Sequence, residues 1–247
     1  MASPPFRFKK FSIEQEGVAH PVGTDSVLLG AWADVHACHR ILDVGTGTGI
    51  VALMLAQRLF ENGENDLSAP AGQVIAGVEI HPPSAACARR NFAASPWAEH
   101  LRVEEGPVQE FARSSPLKFD LIASNPPYFS ENIVSPYEPR RLGRNTATLS
   151  PGDLLEVANI LLSPAGRLCI ILPFAAGKRL CERAVPLGWY CTEEVEVRTR
   201  PHKTPERLLL RFEKDPYRFE RKSLVVCSEN NLYTPEFQEI TKMFYLD

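Results

Sequence analysis

The sequence predicts an α/β fold: a mostly parallel sheet covered by helices on both faces. Three observations predict it. From residue 40 onward, short apolar strands alternate with helical runs, the pattern of successive βαβ crossovers. A glycine-rich turn, Gly45-Thr46-Gly47-Thr48-Gly49, joins the first of these strands to its helix. The fourth strand runs directly into Asn125-Pro126-Pro127-Tyr128. Ligands of such sheets bind at the carboxyl ends of the strands, and both special sequences fall at such ends.

Ahead of the alternation, Phe6, Phe8 and Phe11 with basic residues between them predict a short strand or extended arm. Thr24 or Asp25 is placed to cap a helix through Val27–Ala33, whose apolar stripe packs on the sheet. The alternation then runs strand 40–44, helix 50–60, strand 73–80, helix 83–94, strand 101–105, short helix 109–114 and strand 119–124. An irregular stretch at 129–149 precedes helix 151–162, strand 167–172, helix 176–187 and strands at 190–198 and 207–213. The tail carries a strand-like Ser223–Cys227, a turn at Asn230-Asn231 and a helix from Pro235 to Phe244. Residues 1–39 read as an arm and capping helix packed on one main domain at 40–247, without repeats or low-complexity tracts.

Composition bounds the function loosely. A chain of 247 residues, 44% hydrophobic, buries one good-sized core. The net charge of −3 argues against a nucleic-acid coat protein but leaves room for a local RNA-binding patch. No run has the length of a membrane helix and the first ten residues lack an apolar signal segment, so a cytoplasmic protein is expected. The six cysteines form no CxxC pair and read as free thiols of a reducing compartment. His36, Cys38 and His39 are neighbours on a polar connector and read as surface rather than zinc ligands; no metal is expected.

The tetrapeptide at 125–128 suits the alkylation of a flat, neutral amide or amine nitrogen. Asn125 offers a side-chain carbonyl oxygen. Pro126 and Pro127 have no N–H, so the turn's carbonyls, Pro126 above all, accept without a competing donor. Tyr128 adds a flat face for stacking. By itself the tetrapeptide is equally a tight strand exit, since Pro-Pro marks turns. The glycine turn changes the balance. Its G-x-G-x-G spacing behind Asp43 differs from the dinucleotide G-x-G-x-x-G. It resembles the class I methyltransferase motif for S-adenosylmethionine, with Asp43, Gly45, Thr46, Gly47 and Gly49 as cofactor-binding positions, joined by Asn125 of the tetrapeptide. Glu79, near the end of the second strand, is placed to accept from both ribose hydroxyls. It lies 30 residues after Gly49, and the polar stretch Glu61–Gly72 accounts for the extra length as a surface loop.

Over nearly its whole length the chain resembles the bacterial tRNA1(Val) adenine-N6 methyltransferases. The resemblance rests on Phe6-x-Phe8-Lys9-x-Phe11, on Gly23-Thr24-Asp25-x-x-Leu28-Leu29-Gly30-Ala31-Trp32 and on Asp43-x-Gly45-x-Gly47-x-Gly49. It extends through Ser95-Pro96-Trp97 and Ser124-Asn125-Pro126-Pro127-Tyr128 to Phe244-Tyr245-Leu246. It implies a Rossmann-like sheet of seven strands, the last antiparallel, with S-adenosylmethionine as donor (S-adenosylhomocysteine as product) and tRNA as substrate. The methylated group would be the N6 amine of the adenine 3′ of the anticodon. No membrane and no obligate protein partner is implied. One position departs: Pro107 stands where the family places an Asp that holds the cofactor's adenine amine, so a backbone carbonyl or Glu105 is expected to take over. Cations expected to meet RNA are Lys9 and Lys10, then Arg140, Arg141 and Arg144, with Arg198, Arg200, His202 and Lys203 as further candidates.

Rival readings share the tetrapeptide. A glutamine-amide protein methyltransferase usually carries a helical domain ahead of the cofactor strand, and only 39 residues precede Arg40 here. Guanine-amine rRNA and DNA adenine methyltransferases generally carry an extra domain. A catalytically silent RNA-binding relative of the fold is kept in view by Pro107. A nicotinamide dehydrogenase is disfavoured by the spacing of Gly49 and by Asn125-Pro126-Pro127-Tyr128.

Overall fold

The computed structural model describes residues 4–61, 74–127 and 149–246. The aromatic arm is an antiparallel hairpin of β1 (Phe6–Arg7) and β2 (Ser12–Ile13). Phe8, Phe11 and Ile13 are buried, and the Phe8 ring stacks on Phe11 at 4.8 Å and on Tyr245 at 5.9 Å. The two ends of the chain therefore close on one aromatic cluster. Next come α1 (Thr24–Trp32), β3 (Arg40–Val44), α2 (Ile50–Glu61), β4 (Val74–Glu79), α3 (Pro82–Ala93) and β5 (Leu101–Glu105). They are followed by α4 (Val108–Ser114), β6 (Phe119–Ser124), α5 (Pro151–Leu161), β7 (Leu162–Pro173) and α6 (Phe174–Ala184). The chain then forms β8 (Tyr190–Arg198), β9 (Arg207–Glu213), β10 (Glu220–Val225) and α7 (Pro235–Thr241).

The strands from β3 onward form one sheet in the order β10-β8-β9-β7-β6-β3-β4-β5. β9 runs antiparallel to both neighbours, β7 and β8; every other pairing is parallel. The seven expected strands are thus present, with the last of them antiparallel. The tail adds an eighth, β10, which starts three residues earlier than its apolar run suggested. Residues 220–222 are charged, and they pair because β8 offers acids to meet them: Arg221 Nε reaches Glu194 Oε1 at 2.8 Å and Lys222 Nζ reaches Glu193 Oε1 at 3.1 Å.

Alternation along the strands divides the core into two layers. Ile41, Ile75, Leu121, Ile171 and Leu209 face α1, α2, α7 and the arm. Leu42, Ala76, Ile122, Ile170 and Leu210 face α4, α5 and α6. Two expectations at helix ends are corrected. The N-cap of α1 is Gly23, with no side-chain cap, because the Asp25 carboxylate turns instead to Arg207 Nε at 2.8 Å. α6 stops at Ala184 and passes into a 3-10 turn at Val185–Leu187. Pro186 has no N–H with which to continue the helix, and Gly188 (φ 71°) takes the left-handed turn out.

The chain leaves β3 for β4 and β5 on one side, then returns to place β6 on the other. The carboxyl ends of β3 and β6 therefore flank the crevice where the strand order reverses, the ligand-binding position of an open α/β sheet.

Candidate active site

Register decides which residues meet in that crevice. Val44 pairs with Ser124, and Ser124 Oγ donates to the Val44 carbonyl at 2.8 Å. The next residue on each strand, Gly45 and Asn125, therefore enters the crevice from adjacent strand ends. Both line one cavity of about 600 Å³, within the usual range of a small-molecule site. Asp43, Thr46, Gly47, Glu79, Pro126 and Pro127 line it as well.

One half of the cavity is built by the glycine turn. Gly45 and Gly47 have φ of 72° and 57°, and a Cβ on either would meet no atom closer than 4.0 Å. Open space over left-handed backbone is a cradle in which a ligand can approach the main chain. Glu79 closes its side. It is 8% exposed, and its Oε2 accepts from Gly47 N at 2.9 Å while Oε1 accepts from His81 N at 2.8 Å. A carboxylate has about four acceptor sites, so two remain for a ribose diol. Glycine turn, carboxylate and cavity size together fit S-adenosylmethionine.

Asp43 lies under the turn. Its Oδ2 accepts from Thr46 Oγ1 at 2.6 Å and from Ala52 N at 3.2 Å, which pins the turn to the start of α2. Burial raises its carboxyl to about 7, against the opposing pull of those two donors, and the nearby Glu79 charge adds to the rise. Two signs follow. In the fold, a carboxyl raised from 3.8 to about 7 makes the protein lose stability as pH climbs through that window. For a cationic cofactor, the charge gained above about 7 is attractive. Cofactor affinity of the wild type should therefore rise several-fold between about pH 5.5 and 7.5, and the Asp43→Asn variant should give a flatter profile in calorimetric titration.

Beyond β5 the cavity is lined by Gly106, Pro107, Val108 and Gln109. Glu105 is not in the lining; it is exposed and its Oε2 is held by Arg89 Nη1 at 3.0 Å. The Pro107 carbonyl accepts from Glu110 N and Phe111 N within α4. Gln109 is the lining side chain there that carries an amide.

The other half holds the tetrapeptide. Asn125 Nδ2 donates to Ser26 Oγ at 2.9 Å, which commits the amide nitrogen to α1 and turns Oδ1 away from that helix. Asp25, one residue earlier, is anchored on Arg207, so contacts run from β9 through α1 to Asn125. The first turn of α1, Leu149 and the segment Ala19–Val22 complete the wall. That segment is itself tied down: Val22 N donates to Gln15 Oε1 at 2.7 Å and Ala19 N to Ser84 Oγ at 3.3 Å.

Asp43, Gly45, Thr46, Gly47, Glu79, Asn125, Pro126 and Pro127 thus converge as expected. Gly49 acts one layer back, at the start of α2, against Phe92. Tyr128, Arg140, Arg141 and Arg144 lie outside the described residues. Lys9 and Lys10 do not reach the crevice: Lys10 Nζ lies 3.9 Å from Glu61, at the far end of α2. Ser26, Gln109 and Ala19–Val22 were not legible. Gly23-Thr24-Asp25-Ser26 reads as the start of a helix, and no spacing rule joins Ser26 to an Asn 99 residues away. Among the described residues no cluster of three or more His, Cys, Asp or Glu is placed to hold a metal, and all six cysteines are free.

A parallel sheet with one antiparallel strand, a glycine cradle at its switch point and a carboxylate on the next strand define a class I methyltransferase, the class that uses S-adenosylmethionine. The family model for the methyltransferase small domain matches residues 22–174. A solved structure described as a predicted O-methyltransferase from Agrobacterium tumefaciens superposes with a TM-score of 0.65 at 20% identity, over 89% of this chain and 96% of that one. The tRNA1(Val) (adenine(37)-N6)-methyltransferase of Histophilus somni (strain 129Pt) is 40% identical over 242 residues, 98% of this chain and 97% of its own. The protein of that name from Pasteurella multocida (strain Pm70) is 42% identical over 241 residues, 98% of this chain and 96% of its own. The chain belongs to the tRNA1(Val) (adenine(37)-N6)-methyltransferase family.

Proposed function

We propose that this enzyme methylates the N6 amine of the adenine 3′ of the anticodon in a tRNA; the names of its relatives give the N6 of adenine 37 in tRNA1(Val) for theirs. The observation that carries the reading is the register that brings Gly45 and Asn125 to adjacent strand ends in one cavity. When bound, S-adenosylmethionine supplies a methyl group already activated by its sulfonium. Gly45 and Gly47 seat the cofactor against bare backbone and Glu79 holds its ribose. Gln109 takes the part of the acidic side chain that Pro107 replaces, accepting from the adenine amine.

Asn125 Oδ1 and the Pro126 carbonyl accept the two hydrogens of the target amine. Both acceptors gain strength as positive charge grows on that nitrogen, so they favour the transition state over the ground state. Fixing the amine beside the donor supplies much of the remaining barrier reduction, up to about 7–11 kcal/mol in well-oriented systems. No strong base and no metal is needed, because the product ammonium loses its proton to water after transfer. Tyr128 follows directly in sequence and stacks on the extruded base. A loop adenine is extruded more cheaply than a paired one. Arg140, Arg141 and Arg144 contact phosphates next to it. No helix of the described residues is long and apolar enough to cross a membrane, and a tRNA substrate supports a cytoplasmic enzyme.

Incubation with labelled donor, total RNA and a protein pool, followed by nucleoside mass spectrometry, tests the reading. N6-methyladenosine in tRNA supports it. Label confined to protein or to guanine overturns it.

A further inference from the structure

Reading the site as a tRNA adenine methyltransferase, we infer that the loop joining β8 to β9, through Arg200 and Lys203, is a second surface that grips phosphates of the RNA, in addition to Arg140, Arg141 and Arg144.

Position comes first. β7 and β6 run parallel and end on the same edge. Pro173, the last residue of β7, pairs with Arg207, the first of β9, and Phe174 N donates to the Glu206 carbonyl at 3.0 Å. The loop at 199–206 therefore stands on the carboxyl edge of the sheet, the edge that holds the cavity. Its end is joined to the target half of the site by two contacts: Arg207 to Asp25 at 2.8 Å, then Ser26, the next residue, to Asn125 at 2.9 Å.

Charge comes second. Between Arg198 and Arg207 the sequence carries four Lys or Arg and one acid, on a chain whose net charge is −3. Arg198 is neutralised by Glu196 at 2.9 Å, Arg207 by Asp25, and His202 faces Glu229 at 2.9 Å. Glu206, the single acid, accepts from Thr199 Oγ1 at 2.9 Å. Arg200 bonds the neutral side-chain oxygen of Asn231, and Lys203 is exposed. These two are the loop's cations without a carboxylate partner among the described residues.

Rigidity comes third. Lys203 N donates to the Arg200 carbonyl at 3.1 Å, Glu206 N to that of Val197 at 2.9 Å, and Cys227 N to that of Thr199 at 3.0 Å. A preformed loop loses little ordering entropy on binding. Beside it, Tyr233 is 49% exposed while its ring packs on Phe237 at 4.6 Å. A cation next to a braced aromatic face is the usual composition of a single-strand platform.

Lys10 Nζ, by contrast, lies 3.9 Å from Glu61, at the end of α2 away from the glycine turn, a helix of 12 residues and so about 18 Å long, and Lys9 Nζ donates to the Lys242 carbonyl at 3.1 Å.

The test is binding of a fluorescent anticodon stem-loop oligonucleotide to the full chain at salt concentrations from about 50 to 200 mM. The double variant Arg200→Ala, Lys203→Ala should lower the slope of log affinity against log salt by about 1.5–2, and weaken binding about tenfold at the middle of that range. Its affinity for S-adenosylhomocysteine should equal the wild type's. Lys10→Ala should leave the slope where it was. An unchanged slope in the double variant, or an equal fall in Lys10→Ala, overturns the proposal. Failure of the wild type to bind the oligonucleotide at all would instead remove the tRNA reading on which it depends.

Discussion

Replacing Asn125 by Ala should reduce turnover by about 10²–10³-fold, the usual cost of removing one transition-state hydrogen-bond partner from a water-poor site. Cofactor affinity should change less than about threefold, because in the proposed arrangement the cofactor rests on the turn after β3 and on Glu79, which bonds Gly47 N. The two readouts separate the roles: kcat from single-turnover methyl transfer, and Kd from titration with S-adenosylhomocysteine. An equal loss in both would assign Asn125 to cofactor seating and remove it from catalysis. The Ser26 contact at 2.9 Å adds a finer test. Ser26→Ala frees the amide to rotate and present its NH2 to the substrate amine, so kcat should fall several-fold. In the Asn125→Ala background the same change should add nothing, since additivity fails for residues that act through one another. Additive losses would mean that Ser26 supports the helix rather than the amide.

The second large effect falls on stability. Gly49→Ala should cost about 2–5 kcal/mol. A Cβ there would stand 2.4 Å from Phe92 Cε1, a ring that is 3% exposed, so neither partner has room to yield. The backbone φ of 84° adds the left-handed penalty of about 1–2 kcal/mol for a residue with a side chain. At about 2–4 °C per kcal/mol for a chain of this size, the melting midpoint should drop by roughly 5–15 °C. Gly45→Ala is the contrast. It shares the positive φ but its Cβ meets nothing within 4 Å, so it should melt within a few degrees of wild type while binding cofactor more weakly. A Gly49→Ala protein with an unshifted midpoint would show that α3 moves aside and that the close packing at Gly49 is not required.

How much of this was legible in the sequence follows from the range of the forces involved. Strands 101–105, 119–124 and 207–213 were placed to the residue, because an apolar run bounded by turn residues is a local signal. The glycine turn and Asn125 were legible for the same reason, each being a short sequence with its own chemistry. Where local and distant partners compete, the distant one decided. Asp25 reads as a cap, yet its carboxylate goes to Arg207, 182 residues away. The charged start of β10 reads as loop, yet it pairs with the buried Glu193 and Glu194 of β8.

By itself the sequence determined the α/β class, the order of the elements and the two short motifs that name the chemistry, since backbone conformation and apolar periodicity are set within a few residues. Only the tertiary structure decided that Val44 lies beside Ser124, that Ser26 bonds the amide of Asn125, and that the basic loop after β8 stands on the carboxyl edge of the sheet. Those facts depend on strand order and register, which are settled by the burial of a whole sheet between two helical layers and leave no trace in the spacing of any one segment.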